Sequence, residues 1–351
     1  MIPANAILDA DRRGLATQRI REKIERLIVG QDHVIDAIAG ALDQWEAQFC
    51  DPTRPAASFL FLGPTGTGKT RIVEALADAL LHNERAVVRI DCAEYQRDHE
   101  VTKLIGAPPG YLGHKETAPL LCQQALDRHQ TESCKLSFVL FDEIEKASEG
   151  LWSLLLGVLD NATLTLGDNR KVDFSRAMIF MTSNLGASEM RTASEGSMGF
   201  SAHDAHRALS QEETARIGTQ AAKRKFTPEF FNRLNHVVAF RTLSEEDLRH
   251  ILAIELRKLQ DRIYDRLAVR GFHFRVSEAA SNAILRDGYD PRYGARHLKR
   301  AIDRLLTQPL ARLVSSGQIE AGDMISVERD GERLTFRCEA KAVELAQARA
   351  A

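Results

Sequence analysis

Apolar and polar positions alternate at two periods along this chain, and the change of period marks its elements. Residues 13 to 27 read as an amphipathic helix rich in Arg and Glu, broken by Leu27-Ile28-Val29-Gly30-Gln31-Asp32. A second helix is expected from about 32 to 49, where Val34, Ile35, Ile38, Ala39 and Leu42 recur at helical spacing. Asp51-Pro52-Thr53-Arg54-Pro55 reads as a linker into the apolar run Ser58 to Leu62, a buried strand. Arg71 to Leu81 returns to the helical period. Ala86 to Asp91, Leu136 to Phe141, Ala177 to Thr182 and Val237 to Phe240 read as further strands, separated by helical or loop segments. Strands alternating with helices imply an α/β fold, a mostly parallel sheet with helices on both faces.

The pattern changes after about residue 241. Ser244 to Leu267 is a long helical stretch, with Ser244 and Asp247 at its start. Phe272 to Val276 reads as a short strand, and Ser277 to Arg286 and Ala295 to Ser315 as helices. Met324 to Val327 and Leu334 to Arg337, joined at Asp330-Gly331, make a hairpin. The expected organisation is an N-terminal segment (1–19), a large domain (20–241), a small C-terminal α+β lid (242–338) and a tail (339–351).

Composition narrows the class of protein without naming it. The 351 residues are 44% hydrophobic and 27% charged with a net charge of −2, so nothing favours polyanions or acidic membranes. No apolar run is long enough to span a bilayer, and Met1-Ile2-Pro3-Ala4-Asn5 does not open a signal peptide. Cys50, Cys92, Cys122, Cys134 and Cys338 are scattered and odd in number, as expected of free thiols in a reducing cytoplasm.

Chemistry enters at Gly63-Pro64-Thr65-Gly66-Thr67-Gly68-Lys69-Thr70, which fits the phosphate-binding pattern G-x-x-x-x-G-K-[ST]. The glycines let the backbone wrap a phosphate chain, Lys69 adds a cation for the β- and γ-phosphates, and the Thr70 hydroxyl can ligate Mg²⁺. A strand before the loop and a helix after it are the context this loop needs. Downstream, Phe138 to Phe141 is an apolar strand ending in Asp142 and Glu143. Asp142 suits Mg²⁺ held through water, and Glu143 suits polarising the water that attacks the γ-phosphate. The alternative is a strand capped by solvated acids. Thr182-Ser183-Asn184 ends a further strand, and Asn184 could orient that water; alone, such an Asn is a turn residue.

Together these stretches resemble the second ATPase domain of the Clp unfoldase and disaggregase family (ClpA, ClpB, ClpC), within the AAA+ superfamily. The matching segments occur in the family's order over roughly residues 20 to 335: Ile28 to Gln31, Ser58 to Thr70, Arg89 to Asp91, Gly106 to Gly113, Leu140 to Ala147, Val172 to Phe174, Met181 to Asn184, Phe226 to Leu234, and Gly294 to Arg296. The resemblance implies that ATP and Mg²⁺ are the cofactors. It places Val29 and Gly30 against adenine and makes Asn184 a nucleotide sensor. It also makes Arg233 an arginine finger for a neighbouring subunit and Arg296 a second sensor on the lid. Arginine suits both places because its planar fork matches phosphate oxygens. Surface ion pairs are the alternative for both residues. A finger acting in trans implies an oligomer, and the family implies a homo-hexameric ring.

Tyr111 lies among Gly106, Pro108, Pro109, Gly110 and Gly113, an aromatic on a loop with no local core. The resemblance makes it the pore residue that grips polypeptide; the alternative is a Tyr packed under its own loop. Leu112 stands where the family often has Val, and His114-Lys115 follow. Leu164 to Arg170 resembles a second pore loop without one of its usual glycines, and Met198-Gly199-Phe200 lies where protease-coupled members dock a ClpP-like peptidase; the alternative there is a chance match. The chain has one ATPase module where those relatives have two, no N-terminal substrate-binding domain and no long coiled-coil insertion, which argues against disaggregation with a co-chaperone. The expectation is an ATP-driven unfoldase that threads polypeptide through a ring. The alternative is a non-threading assembly switch acting on one dedicated partner. Near-neutral charge argues against a nucleic-acid motor, and Lys69, Asp142 and Glu143 argue against a scaffold without turnover.

Overall fold

A computed structural model describes residues 9–107, 119–194, 209–267, 271–290 and 293–339. The chain divides into two compact units, Met1–Pro64 with Gly68–Arg241, and Thr65–Thr67 with Thr242–Ala351.

The strands of the first unit are β1 (Ala57–Leu62), β2 (Val88–Asp91), β3 (Ser137–Asp142), β4 (Thr163–Thr165), β5 (Lys171–Asp173), β6 (Ala177–Thr182) and β7 (His236–Ala239). Its helices are α1 (Leu15–Glu25), α2 (Asp32–Glu46), α3 (Lys69–Leu81), α4 (Thr102–Ile105), α5 (Gln123–Asp127), α6 (Glu149–Asn161), α7 (Ala187–Ser194), α8 (Gln211–Lys225) and α9 (Pro228–Asn232). Five strands form one parallel sheet in the order β2-β3-β6-β1-β7.

The two sides of that sheet explain why its strands carry no polar alternation. Phe59, Phe61, Phe138, Leu140, Met178 and Phe180 point to one face and pack with α2 and α3 through Ile35, Ile38, Ile72 and Leu76. Leu60, Leu62, Val139, Phe141, Ile179 and Met181 point to the other and pack with α6 and α9 through Leu151, Leu155 and Phe230. Parallel sheets covered on both faces read as continuous apolar runs, and each fully buried large side chain contributes roughly 1.5–3 kcal/mol. The strand ends β1, β3 and β6 therefore lie side by side, each followed by a polar residue or a loop.

The antiparallel hairpin β4–β5 stands apart from this sheet. Its loop is closed by Leu166 N–H donating to Arg170 O at 2.8 Å, with Asn169 at φ 68°.

In the second unit, α10 (Glu245–Leu267) is capped by Ser244, whose Oγ accepts from Asp247 N at 3.1 Å. Then come β8 (His273–Val276), α11 (Glu278–Gly288), α12 (Ala295–Ile302), α13 (Gln308–Ser315), β9 (Met324–Asp330) and β10 (Arg333–Glu339). The three strands form a sheet in the order β10-β9-β8. The single helix expected over 295–315 is instead two helices joined by a π turn at Asp303–Thr307. Pro309 lies just beyond that turn; it has no N–H and its ring displaces the carbonyl four residues back, so α-helical bonding cannot run through. The hairpin turn falls at Gly331-Glu332, because Asp330 is already paired with Arg333. Among the described residues no helix is long and apolar enough to cross a membrane.

Candidate functional site

β1 ends at Leu62, and the loop Gly63–Gly68 follows before α3 begins at Lys69. Gly63, Gly66 and Gly68 take φ of 125°, 76° and 103°. A Cβ on Gly63 would lie 2.6 Å from Phe240 O, so only glycine fits beside that backbone. Gly68 caps α3 and accepts the helix's first bond, from Ile72 N at 2.9 Å. The amides before Ile72 lack partners within the helix, and such a terminus attracts anions.

Lys69 is only 8% exposed. Its Nζ donates to Gly63 O and Pro64 O, both at 2.7 Å, and to Asn184 Oδ1 at 3.0 Å. Asn184 stands two residues beyond β6, and its Nδ2 points at Glu143 Oε1 at 3.5 Å. A cation, an amide and a carboxylate from three strand ends thus converge.

Asp142 closes β3. Its Oδ1 accepts from the Thr182 hydroxyl and faces Thr70 Oγ1 at 3.4 Å, while its Oδ2 pairs with Arg89 Nη2 at 2.5 Å. Thr182 Oγ1 in turn accepts from Glu143 N at 3.1 Å. Glu143 sits at φ 56°, in the left-handed region that a non-glycine residue rarely occupies, and its carboxylate pairs with Lys146. That carboxylate holds the Lys146 ammonium above its ordinary pKa. Burial first, and then the carboxylates of Asp91, Asp142, Glu145 and Glu143, push the Cys92 thiol far above its usual range.

These residues fit a nucleotide and its cation. The positive-φ glycines and the buried ammonium suit a phosphate chain. The Thr70 hydroxyl and Asp142 carboxylate are hard oxygen donors 3.4 Å apart, too far for a tight mutual bond, and oxygen donors suit Mg²⁺.

The remaining expected residues are more dispersed. Val29 and Gly30 are half-buried ahead of α2, with Gly30 at φ 73°. Arg233 ends α9 and is 23% exposed by its side chain. Its Nε lies 2.5 Å from Asp160 Oδ2 and its Nη2 3.0 Å from Glu229 Oε1. Arg296 is exposed on the first turn of α12. Tyr111 and Met198-Gly199-Phe200 lie outside the described residues. The hairpin loop resembling a second pore segment is described: Gly167 N donates to Ile105 O at 2.9 Å. A Cβ there would lie 2.4 Å from Gly106 O.

Arg89, Lys146, Thr182 and Glu145 belong to this constellation as well. They fall inside the stretches that carry the resemblance, but the sequence attaches no role to them; Thr182 could have been found as the last residue of an apolar strand.

Together, these features define a phosphate-loop nucleotide-binding α/β domain. Residues 54–237 match the family described as AAA domain (Cdc48 subfamily), and residues 243–327 match the C-terminal, D2-small domain of ClpB protein. The chain belongs to the AAA family of ATPases, in its Clp branch. It is 38% identical over 338 residues to the chaperone protein ClpB of Bdellovibrio bacteriovorus, covering 95% of this chain and 36% of that one. It is 39% identical over 336 residues to that of Gloeobacter violaceus, covering 96% and 36%. The chain thus spans about a third of the length of these curated relatives. A closed-state cryo-EM reconstruction of Hsp104 with ATPγS and FITC casein aligns with a TM-score of 0.77 at 29% identity. That alignment covers 92% of this chain and 51% of that one.

Proposed function

We propose that the chain is the ATP-hydrolysing module of a protein-remodelling machine, an unfoldase or disaggregase that draws polypeptide through a ring. The observation that carries this is the convergence of Lys69, Asn184 and Glu143 beside the Thr70–Asp142 oxygen pair. In this reading Gly63 to Thr70 cradle the phosphates of ATP, Val29 and Gly30 pack on adenine, and Thr70 and Asp142 hold Mg²⁺. The cation neutralises developing charge on the phosphates. Glu143 accepts the proton of the attacking water, and Asn184 fixes that water's position. Arg233 serves a neighbouring subunit of a homo-hexamer, Arg296 contacts nucleotide from the lid, and Tyr111 grips the polypeptide.

The support for substrate and assembly is kinship with ClpB chaperones and with Hsp104, the latter reconstructed with casein. Nothing in the chain's extent separates unfolding from disaggregation, and the proposal covers both. The same kinship supports a cytoplasmic setting. Docking of a ClpP-like peptidase at Met198-Gly199-Phe200 rests on sequence alone.

The test is ATP-dependent unfolding of a stable fluorescent protein bearing an unstructured tail, with Glu143→Gln as control. Loss of fluorescence with the wild-type chain only is the expected result. Robust ATP hydrolysis without unfolding would replace threading by a non-threading switch on a dedicated partner.

A further inference from the structure

Asn184 reaches both Lys69 and Glu143, yet it sits in a loop beyond the end of β6, where the sheet no longer fixes the backbone. Ser183 is still tied to the sheet, its N–H donating to Phe61 O at 2.8 Å. The next amide has no strand partner. The N–H of Asn184 donates instead to Glu145 Oε1 at 3.0 Å. Glu145 lies in a short 3-10 turn, Ile144–Lys146, directly after the strained Glu143. That turn is anchored by Ile144, which is fully buried, so the Glu145 carboxylate is held in place. Its second oxygen, Oε2, is buried without a hydrogen-bond partner among the described residues.

Holding a carboxylate oxygen out of water without a donor costs free energy. A solvated side chain on the opposite face of the turn would avoid that cost. The geometry accounts for it through Oε1, whose hydrogen bond fixes the one amide that sets the direction of the Asn184 side chain.

We propose that Glu145 is a positioning residue for Asn184, locking its backbone so that one amide side chain addresses Lys69 and Glu143 together. The inference rests on the ATPase reading above. Glu145 does not touch the reacting atoms; it acts through the main chain of the residue that does. A misplacement of about 1 Å in such a group can cost on the order of 100-fold in rate.

The experiment combines amide hydrogen exchange on the nucleotide-free chain, titration with a fluorescent ATP analogue, and steady-state ATPase. It compares wild type, Glu145→Ala and Glu145→Gln, each also in an Asn184→Ala background. Glu145→Ala is expected to expose the Asn184 amide to exchange and to lower kcat about 10- to 100-fold, with analogue affinity held within about 2-fold. Glu145→Gln keeps a carbonyl acceptor and is expected to restore amide protection and most of the lost kcat. In the Asn184→Ala background Glu145→Ala should cost nothing further, as expected of residues acting as one unit. If Glu145→Ala does not fold, Glu145→Asp, one methylene too short to reach, is read in its place.

Unchanged protection at Asn184 in the variant would overturn the proposal. So would a Glu145→Gln chain as slow as Glu145→Ala, which would make the charge the active feature, or a fully additive double variant. A wild-type chain without ATP turnover would sink the ATPase reading instead. The exchange measurement would still decide the link from Glu145 to Asn184.

Discussion

Lys69 Nζ and Asn184 Oδ1 lie 3.0 Å apart although 115 residues separate them in the chain. One opens the helix after β1 and the other follows β6, and β1 pairs with β6 in parallel register from Ala57–Met178 to Phe61–Thr182. The register brings the two strand ends together, and the side chains meet just beyond them. Lys69→Ala removes the cation meant for the phosphates. The expected result is a loss of ATP affinity of roughly 10- to 100-fold, the scale of hydrogen bonds to charged groups. Titration with a fluorescent ATP analogue measures it, and unchanged affinity would refute the phosphate-loop assignment.

Glu143→Gln keeps the shape of the side chain and removes its basicity. Nucleotide binding should persist while turnover falls by about 100- to 10,000-fold, the range for loss of a general base. Lys146 also loses its carboxylate partner, so its ammonium pKa should return toward the ordinary value. Single-turnover hydrolysis beside analogue binding separates the two effects. Normal turnover would remove Glu143 from the mechanism.

Arg233 makes its ion pairs with Asp160 and Glu229 of its own chain. If it serves a neighbour, Arg233→Ala should abolish most hydrolysis without weakening ATP binding in the same chain. Mixing then gives a sharp test. A Lys69→Ala chain retains Arg233, and an Arg233→Ala chain retains an intact phosphate loop. Mixed oligomers should recover part of the activity that each variant lacks alone. Recovery absent at every mixing ratio would make Arg233 a structural ion-pair residue.

The sheet and the phosphate loop were legible in the sequence because their signals are local. Ser58 to Leu62 is apolar on both faces, and Gly63 to Thr70 carries its chemistry in consecutive residues. The hairpin β4–β5 is not legible as strands, because each strand has only three residues and cannot establish a period. The π turn needed the consequence of Pro309 to be followed backwards along the helix. The partners of the acids were hidden for another reason. Arg89 is a charged residue on the exposed side of β2, and Glu145 follows the motif by two positions. Each reads as solvated until the fold brings Asp142 or the Asn184 amide to it.

Gly167 tests a contact between two loops. Its amide donates to Ile105 O, and a Cβ on it would lie 2.4 Å from Gly106 O. That distance is far below van der Waals contact with rigid backbone, so one of the two segments must move. Gly167→Ala should leave ATP affinity unchanged, since the hydrogen bonds of Lys69 and Asp142 described above run to Gly63, Pro64, Asn184, Thr70, Thr182 and Arg89. It should impair coupling of hydrolysis to polypeptide, read as lost stimulation of ATPase by an unfolded protein such as casein. Equal stimulation in variant and wild type would show that the contact has no part in substrate handling.

His236 makes stability depend on pH in a direction that its burial fixes. Its ring stacks on Phe59 with centroids 4.6 Å apart and planes at 17°. Burial lowers its pKa below the ordinary value. The folded chain therefore favours the neutral ring, while the unfolded chain takes up a proton near the usual value of about 6.5. Above that pH both states are neutral and His236 adds no pH dependence. As pH falls below it the unfolded state binds more protons, so stability declines until the folded-state ring also titrates. His236→Phe keeps the stacked ring and removes the titration. Thermal melts at a series of pH values from 7.5 to 5.5 should show the Tm of the variant rising relative to wild type as pH falls. A constant difference across that range would mean that the ring titrates alike in both states, and the half-buried position would carry no pH-linked cost.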